Sequence, residues 1–292
     1  MATMVGFVGL GLMGQGFTQR LAEKGHTVVG FDIDEAKVTA AAAWGVQPAK
    51  SAAEVAKRAD IVLVCVINTA AVEDVALGPR GLIAVKSQRG KVMVDHSTTE
   101  LEATRRIAAA LDGKGMMFVD APVSGCPGAA KAGTLAIMAG GADAAIAKVA
   151  PLLRDLGSLT HMGPVGTGQA TKLVNQTIVL TNYCVLAEAL RLAQAYGVDA
   201  AKIPEALKAG FAGSNMLGPI FPQMLKQDFA PRGFARQVLK DLEMLQGAAR
   251  EKHLAMPMAS QALTLYRLLV AAGKSELDAA AVVSLYPRED AH

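Results

Sequence analysis

A glycine-rich turn near the N-terminus constrains the fold of this chain more than any other feature. The apolar segment 5–8 runs directly into the turn, and a helical pattern follows it. In a GxGxxG turn between a strand and a helix, the first glycine permits a tight bend, the second lets the backbone approach a pyrophosphate, and the third allows close helix packing. The N–H groups at the start of the helix then attract phosphate charge. We therefore predict that this turn binds a cofactor through Gly9, Leu10, Gly11, Leu12, Met13 and Gly14. The alternative is a glycine-rich turn that binds no ligand.

The rest of the first half alternates short β-branched segments with Ala-rich helical segments. Alternation of this kind predicts a mostly parallel, doubly wound sheet with helices on both faces. The predicted strands are residues 5–8, 27–31, 61–66, 92–94, 116–119 and 135–138. The predicted helices are residues 12–24, 36–44, 52–58 and 101–111.

The second half has a helical pattern throughout. A helix capped by Thr167 or Gly168 has no further Pro or Gly before Gly197, and at about 1.5 Å per residue it spans roughly 40 Å. That length is sufficient to connect two domains. Helical segments follow at 200–209, 216–226, 234–251, 258–271 and 276–284. We predict an α/β Rossmann-type domain at 1–163 and an all-α domain for substrate binding and oligomerisation at 164–292, joined by this long helix.

Asp32 ends the second predicted strand, 18 residues after Gly14. An acid about 20 residues beyond the glycines binds the ribose hydroxyls of NAD in such folds. A carboxylate there repels the 2′-phosphate of NADP, and no Arg follows immediately to bind that phosphate. NAD is therefore favoured over NADP. The alternative is that Asp34 caps the next helix and Asp32 merely ends a strand.

Two further loops lie at predicted strand ends, where open α/β sheets bind ligands. The first follows the predicted strand that ends at Val66 and contains Ile67, Asn68 and Thr69, and the second is the segment 95–99. Their polar groups can contact the ribose and phosphates of the cofactor. Ser97, Thr98 or Thr99 can equally cap the helix that begins at 101.

The loop at 120–133 is small and glycine-rich. Such a loop can present backbone N–H groups and a hydroxyl to a carboxylate, although an ordinary surface loop has a similar composition. Cys126 lies in it, and because no partner residue is recognisable we interpret it as a bystander thiol rather than a nucleophile.

Lys172, Asn175 and Gln176 stand at i, i+3 and i+4, so they share one face of the long helix. Apolar neighbours would lower the pKa of the lysine from about 10.4, as a general acid requires. A solvated lysine on the helix edge is an equally good interpretation. Lys240-Asp241 has the pattern of a solvated surface pair.

Composition excludes several classes of protein. Hydrophobic residues make up 52% and the net charge is +3 without a basic block, which excludes a disordered chain and a nucleic-acid surface. No uninterrupted apolar run reaches the roughly 18 residues of a membrane span, and no secretory pattern precedes the first turn. The cysteines are far apart, the histidines lack zinc spacing, and GxSxG is absent. We expect a cytoplasmic enzyme without a metal.

Four motifs in this order resemble the β-hydroxyacid dehydrogenase family, which includes 3-hydroxyisobutyrate dehydrogenases and tartronate semialdehyde (2-hydroxy-3-oxopropionate) reductases. They lie at residues 7–14, 120–125, 166–172 and 240–242. The resemblance implies that Lys172 is the proton donor or acceptor, that Ser124 and Gly125 hold a substrate carboxylate, and that Thr98 and Lys240 line the cofactor.

Departures from the family pattern refine this expectation. Many 3-hydroxyisobutyrate dehydrogenases have Asn-Asn where this chain has Asn175-Gln176, and we expect both amides to bind the substrate. The segment 172–176 is similar to the reductase subgroup. We predict an NAD(H)-dependent tartronate semialdehyde reductase. The alternatives are a 3-hydroxyisobutyrate dehydrogenase, another family member acting on threonate or a sulfonate aldehyde, and a catalytically silent NAD-binding module.

The all-α half contains many apolar residues within a short stretch. We expect some of them to be buried against another subunit, as a homodimer or homotetramer. These residues are Met216, Leu217, Phe221, Leu225, Phe229 and Phe234.

Overall fold

The computed structural model describes residues 4–86 and 88–287. The chain divides into two compact units, Met1–Lys172 and Leu173–His292. The predicted domain boundary after residue 163 coincides with the end of the last strand, Gly157–Gly163, and stays a prediction.

One sheet organises the first unit. Its strands are β1 Met4–Val8, β2 Thr27–Phe31, β3 Gln47–Pro48, β4 Ile61–Val64, β5 Val92–Asp95, β6 Met117–Asp120, β7 Val123–Ser124, β8 Leu135–Gly141 and β9 Gly157–Gly163. They lie in the order β3-β2-β1-β4-β5-β6-β8-β7, with β9 paired to β8. The path from β3 to β6 is parallel and has the strand order of a dinucleotide-binding fold. β8 pairs antiparallel with β6 and β7, and parallel with β9.

Helices connect these strands, and the predicted α/β fold class is confirmed. They are α1 Leu12–Glu23, α2 Glu35–Ala42, α3 Ala52–Arg58, α4 Thr69–Leu77, α5 Leu101–Asp112, α6 Cys126–Ala132 and α7 Asp143–Arg154, with a 3₁₀ turn at Leu82–Ala84.

The central strands are apolar along their whole length because both faces of the sheet are covered. Successive side chains on a strand point to opposite faces. Phe7 and Leu63 therefore lie in one buried cluster, whereas Val8, Val62 and Val64 lie in the other. A sheet covered on both sides leaves the loops at its strand ends accessible, and the glycine-rich turn after β1 and the loops after β4, β5 and β7 lie there.

Helices form the second unit, and the unit boundary falls inside the long helix Thr167–Ala195. They pack around a core that contains Phe221, Leu242 and Tyr266, and the hydroxyl of Tyr266 donates to the carbonyl oxygen of Ala279 at 2.9 Å. The helices are α8 Thr167–Ala195, α9 Ile203–Leu207, α10 Leu217–Lys226, α11 Ala235–Glu251 and α12 Pro257–Ala271, with 3₁₀ segments at Ala200–Lys202 and Ala279–Leu285.

Four of the six apolar residues expected at a subunit interface lie in or against the core of the second unit. Leu217 and Phe221 are buried in the core of their own unit, and Leu225 and Phe229 pack partly buried against it. These residues are therefore not a surface that needs a second subunit.

α8 is long and apolar enough to cross a membrane by length and composition, alone among the helices in the described parts of the chain. Its most apolar window has a mean hydropathy of 1.2, and 28% of that window is buried. Leu180, Cys184, Ala187 and Leu190 of this helix belong to the core of the second unit. Core helices of proteins without a membrane span can have the same length and hydropathy, so these two properties are weak evidence for a membrane span.

Candidate active site

The glycine-rich turn has the geometry of a pyrophosphate cradle. Gly9 has a φ of +98°, and a Cβ there would lie 2.1 Å from the carbonyl oxygen of Cys65. A Cβ at Gly14 would lie 2.0 Å from the carbonyl oxygen of Gly9, whereas a Cβ at Gly11 would meet no heavy atom within 4 Å. Gly11 caps α1 without a side-chain hydrogen bond. Open space and N–H groups that no capping side chain accepts make this turn fit a dinucleotide.

Asp32 is attached to that turn. Its Oδ2 accepts from the backbone N–H of Leu10 at 2.7 Å, and its Oδ1 accepts from that of Asp34 at 2.9 Å. Asp34 caps α2 by accepting from the N–H of Ala36 at 3.0 Å. Asp34 is therefore the cap, but Asp32 does more than end a strand. A carboxylate offers about four acceptor positions, so two stay available beside these bonds.

The loop after β4 packs against the same turn. A Cβ at Gly9 would lie 2.9 Å from Cγ1 of Val66, and the N–H of Val66 donates to Oγ of Ser97 at 2.9 Å. Ile67 is 47% exposed. Asn68 Oδ1 accepts from the N–H of Ala71 at 2.9 Å and so caps α4, a helix that the sequence analysis does not predict.

Asp95 fixes the loop after β5. Its Oδ1 accepts from the N–H of Ser97 at 2.9 Å and its Oδ2 from the hydroxyl of Thr99 at 2.6 Å. The cap residue of α5 is Glu100, without a side-chain cap bond, so the interpretation of Ser97, Thr98 or Thr99 as helix caps is wrong. Ser97 and Thr99 are buried, whereas Thr98 is half-buried. Thr98 is therefore the most accessible of the three.

His96 is a buried neighbour of this loop that the sequence interpretation did not use. Its Nδ1 lies 2.7 Å from the carbonyl oxygen of Ala121, and its ring stacks on Phe17. Burial lowers the pKa of His96 to about 4. The imidazole is thus neutral at physiological pH, and Nδ1 is the donor.

Asp120 holds the start of α8 and was also missed. Its Oδ1 accepts from the N–H of Gly166 and its Oδ2 from that of Gln169, both at 2.8 Å. Burial raises the pKa of Asp120 to about 6, against the lowering effect of those two bonds, and the nearby carboxylate of Asp95 adds to the rise. The signal that could have found it is its position at a strand end, shared with Asp32 and Asp95.

Lys172 lies beside the loop of Ser124 and Gly125. It is 8% exposed, and its Nζ donates to the carbonyl oxygen of Val123 at 2.7 Å. The alternative of a solvated lysine is therefore wrong. The buried ammonium lies next to a segment that offers a hydroxyl and backbone N–H groups.

The backbone of this loop is constrained by its glycine. Gly125 has a φ of +137°, and a Cβ there would lie 2.8 Å from Cβ of Ala129. Cys126 follows, exposed and with a φ of +58°.

The second unit contains a chain of polar contacts. Asn175 Nδ2 donates to Oε1 of Gln176 at 2.8 Å, and Gln176 Nε2 donates to Oδ2 of Asp241 at 2.5 Å. Lys240 Nζ lies 3.0 Å from Oδ1 of Asp241. Gln176 and Asp241 are buried, so the interpretation of Lys240-Asp241 as a solvated surface pair is wrong. Within residues 4–86 and 88–287, no group of three His, Cys, Asp or Glu could hold a metal ion.

Two family models together cover nearly the whole chain. The NAD binding domain of 6-phosphogluconate dehydrogenase matches residues 4–178, and the NAD-binding domain of NADP-dependent 3-hydroxyisobutyrate dehydrogenase matches residues 166–286. The 2-hydroxy-3-oxopropionate reductase of Escherichia coli (strain K12) is 35% identical over 284 residues, which are 96% of this chain and 95% of that protein. The chain belongs to the β-hydroxyacid dehydrogenase family.

Two further dehydrogenases are similar to this chain over nearly its whole length. The 2-(hydroxymethyl)glutarate dehydrogenase of Eubacterium barkeri is 34% identical over 97% of this chain and 94% of its own length. A crystal structure of 3-hydroxyisobutyrate dehydrogenase from Salmonella typhimurium superposes with a TM-score of 0.88 at 28% identity, covering 97% of this chain and 100% of that one. The protein is an NAD(P)-dependent oxidoreductase that acts on CH–OH groups.

Proposed function

We propose that this β-hydroxyacid dehydrogenase reduces tartronate semialdehyde (2-hydroxy-3-oxopropionate) to the corresponding 3-hydroxy acid, reversibly and with NAD(H). The observation that carries the proposal is the buried Lys172, whose Nζ lies 2.7 Å from the carbonyl oxygen of Val123, one residue before Ser124. A buried ammonium beside polar loop groups has the chemistry to bind an anionic substrate and transfer a proton to it.

The roles divide between the two ends of the substrate. The hydroxyl of Ser124 and the N–H of Gly125 bind the substrate carboxylate. Lys172 donates a proton to the carbonyl oxygen in the reductive direction and accepts it in the oxidative direction, a contribution of about 10²–10⁴ in rate. Asn175 and Gln176 orient the substrate with their amides. When bound, the nicotinamide cofactor supplies or accepts the hydride.

The surroundings of Asp32 support NAD as the cofactor. The carboxylate is followed by Ile33, which is 92% exposed and uncharged. Lys37 Nζ is 3.9 Å from Asp32 Oδ1 and 3.4 Å from Asp34 Oδ2, so its charge is already offset. A 2′-phosphate would meet two carboxylates here. We assign cofactor contacts to Gly9, Leu10, Gly11, Leu12, Met13, Gly14, Asp32, Val66, Ile67, Asn68, Thr98 and Lys240.

The runner-up activity is that of a 3-hydroxyisobutyrate dehydrogenase. It is favoured by the similarity of residues 166–286 to that family model and by the superposed Salmonella structure. Both candidate enzymes reduce a semialdehyde that carries a carboxylate, so the loop of Ser124 and Gly125 and the amine of Lys172 have the same roles in either reaction.

A panel of semialdehydes with both cofactors tests the proposal. The loss of NADH absorbance is followed with tartronate, methylmalonate and succinate semialdehydes, and again with NADPH. We expect the highest kcat/KM with tartronate semialdehyde and NADH, at least tenfold above the NADPH value. A highest value with methylmalonate semialdehyde would transfer the assignment to 3-hydroxyisobutyrate dehydrogenase, and no oxidation with any of the three would refute the proposed activity.

We also propose that the chain forms a homo-oligomer through an exposed stripe on α8. Ile178, Val185 and Leu192 are seven residues apart and are 58%, 48% and 61% exposed, and Val174, four residues before Ile178, is 60% exposed. Apolar residues repeated at heptad spacing form a seam for packing against another helix. Because the stripe is uncharged at these positions, a second copy related by a two-fold axis matches it.

We propose a cytoplasmic location. The support is that Cys65, Cys126 and Cys184 are all free thiols, as is usual in a reducing compartment.

A further inference from the structure

Gln169 joins α8 to the loop that contains Thr98. Gln169 is only 1% exposed. Its Nε2 donates to the carbonyl oxygen of Ser97 at 2.8 Å. Its Oε1 accepts from the N–H of Thr99 at 3.1 Å. One primary amide thus satisfies the backbone groups on both sides of Thr98, as a neighbouring strand would, and it fixes the backbone of the most accessible residue in that loop.

The backbone of Gln169 is fixed as firmly as its side chain. Its N–H donates to Oδ2 of Asp120, and the other oxygen of the same carboxylate, Oδ1, accepts from the N–H of Gly166. A Cβ at Gly168 would lie 2.4 Å from the carbonyl oxygen of Asp120 and 2.5 Å from that of Met138. The first turn of α8 therefore has no room to slide along the end of the sheet.

The two carboxylates that hold these segments, those of Asp95 and Asp120, belong to the last residues of adjacent strands. Asp95 ends β5 and Asp120 ends β6, and the two are paired in the parallel register. Asp95 holds the N–H of Ser97 and the hydroxyl of Thr99. Gln169 connects the two anchored segments, and it lies three residues before Lys172 on the same helix.

We propose that Gln169 is a positioning residue that keeps Thr98 and Lys172 in fixed register. This inference rests on the proposed function, because it assumes that Lys172 transfers the proton and that Thr98 contacts the cofactor. Gln169 does not need to touch the substrate. It acts through its two buried hydrogen bonds, which hold the cofactor loop against the helix that carries the proton donor.

Gln169→Met removes both bonds at similar volume. We expect kcat to fall at least tenfold, because a displacement of about 1 Å can cost about 10² in rate. We also expect the Kd for NADH to rise at least threefold. The KM for the semialdehyde should change less than kcat. Gln194→Met is the matched control. Gln194 lies on the same helix, where its Oε1 accepts from Arg191 at 2.8 Å in an exposed contact, and we expect values within twofold of the wild type.

Gln169→Glu separates positioning from folding. A protonated glutamic acid can donate to Ser97 and accept from Thr99 as the amide does, whereas the ionised form brings a negative oxygen against the Ser97 carbonyl. The variant-to-wild-type ratio of kcat, measured from pH 8.5 to pH 5.5, should therefore rise as the pH falls. The neighbouring ionisable groups Asp95, Asp120, His96 and Lys172 are common to both proteins, so dividing by the wild type removes the pH dependence that the two proteins share.

The outcomes are distinguishable. If folded Gln169→Met has kcat and NADH Kd within twofold of the wild type, or if the Gln169→Glu ratio does not change with pH, the positioning role is overturned. If the wild type is inactive with every semialdehyde, the proposed function fails instead. NADH binding, followed by fluorescence, then still tests the inference, and an unchanged Kd in Gln169→Met contradicts it.

Discussion

Asp120→Asn should change how the stability of the first unit depends on pH. Burial raises the pKa of Asp120 from its ordinary 3.8 to about 6 in the folded protein. Between these values the unfolded chain has lost the proton and the folded one keeps it. The folded state then binds more protons, so ionisation of Asp120 lowers the free energy of unfolding as the pH rises from about 4 to about 6.

The size of the effect follows from the shift. Two pKa units at about 1.36 kcal/mol each give about 3 kcal/mol in total, of which about 2 kcal/mol falls between pH 4.5 and pH 7. The asparagine variant also loses one acceptor for the start of α8, but that loss is the same at every pH. The difference in unfolding free energy, wild type minus Asp120→Asn, should therefore fall by about 2 kcal/mol over this range.

Trp44 makes the measurement specific for the first unit. It is the only tryptophan, and its indole N–H donates to Oγ1 of Thr18 at 3.0 Å. Urea unfolding followed by its fluorescence at several pH values gives the difference. Asp60→Asn is the control, because a hydrogen bond from Lys91 lowers the pKa of Asp60 and its contribution is constant above pH 4.5. A difference for Asp120→Asn that is flat, or that rises with pH, would refute the raised pKa.

Three further expectations concern the cofactor, the assembly and the substrate loop. Asp32→Ala should raise the NADPH-to-NADH ratio of kcat/KM at least tenfold, and an unchanged ratio would count against Asp32 as the ribose ligand. Ile178→Glu or Leu192→Glu should lower the mass found by light scattering, whereas Leu268→Glu, at a residue 54% exposed on α12, should not; equal masses would exclude the α8 seam. Gly125→Ala forces a side chain into a backbone with a φ of +137°, at a cost of about 1–3 kcal/mol, and should raise the KM for the semialdehyde; an unchanged KM with an unchanged melting temperature would contradict that strain.

The central sheet was predictable because its signal is local. Strands covered on both faces are continuously apolar, and β2 has the predicted bounds of residues 27–31. β9 was missed because all of its residues are exposed or half-buried, so it lacks the apolar run of a buried strand. α4 was missed because its cap, Asn68, was read as a loop residue with a ligand.

The site was predictable where a residue and its partner lie in one motif. The glycine-rich turn and Lys172 are recognised from their neighbours in sequence. The role of Gln169 depends on bonds across 49 residues to Asp120 and 70 residues to Thr99, which no local pattern indicates. Asp120 stood inside a recognised motif, but only the fold shows that it holds α8.

The most direct test of the proposed chemistry is the turnover of Lys172→Met at saturating NADH and tartronate semialdehyde. Lys226→Met, at an exposed lysine of α10, serves as the control for the loss of one positive charge. We expect kcat of Lys172→Met to fall at least 10³-fold, within the ~10²–10⁴ that a general acid contributes, while the Kd for NADH stays within threefold of the wild type. A kcat within tenfold of the wild type would contradict the assignment of Lys172 as the proton donor.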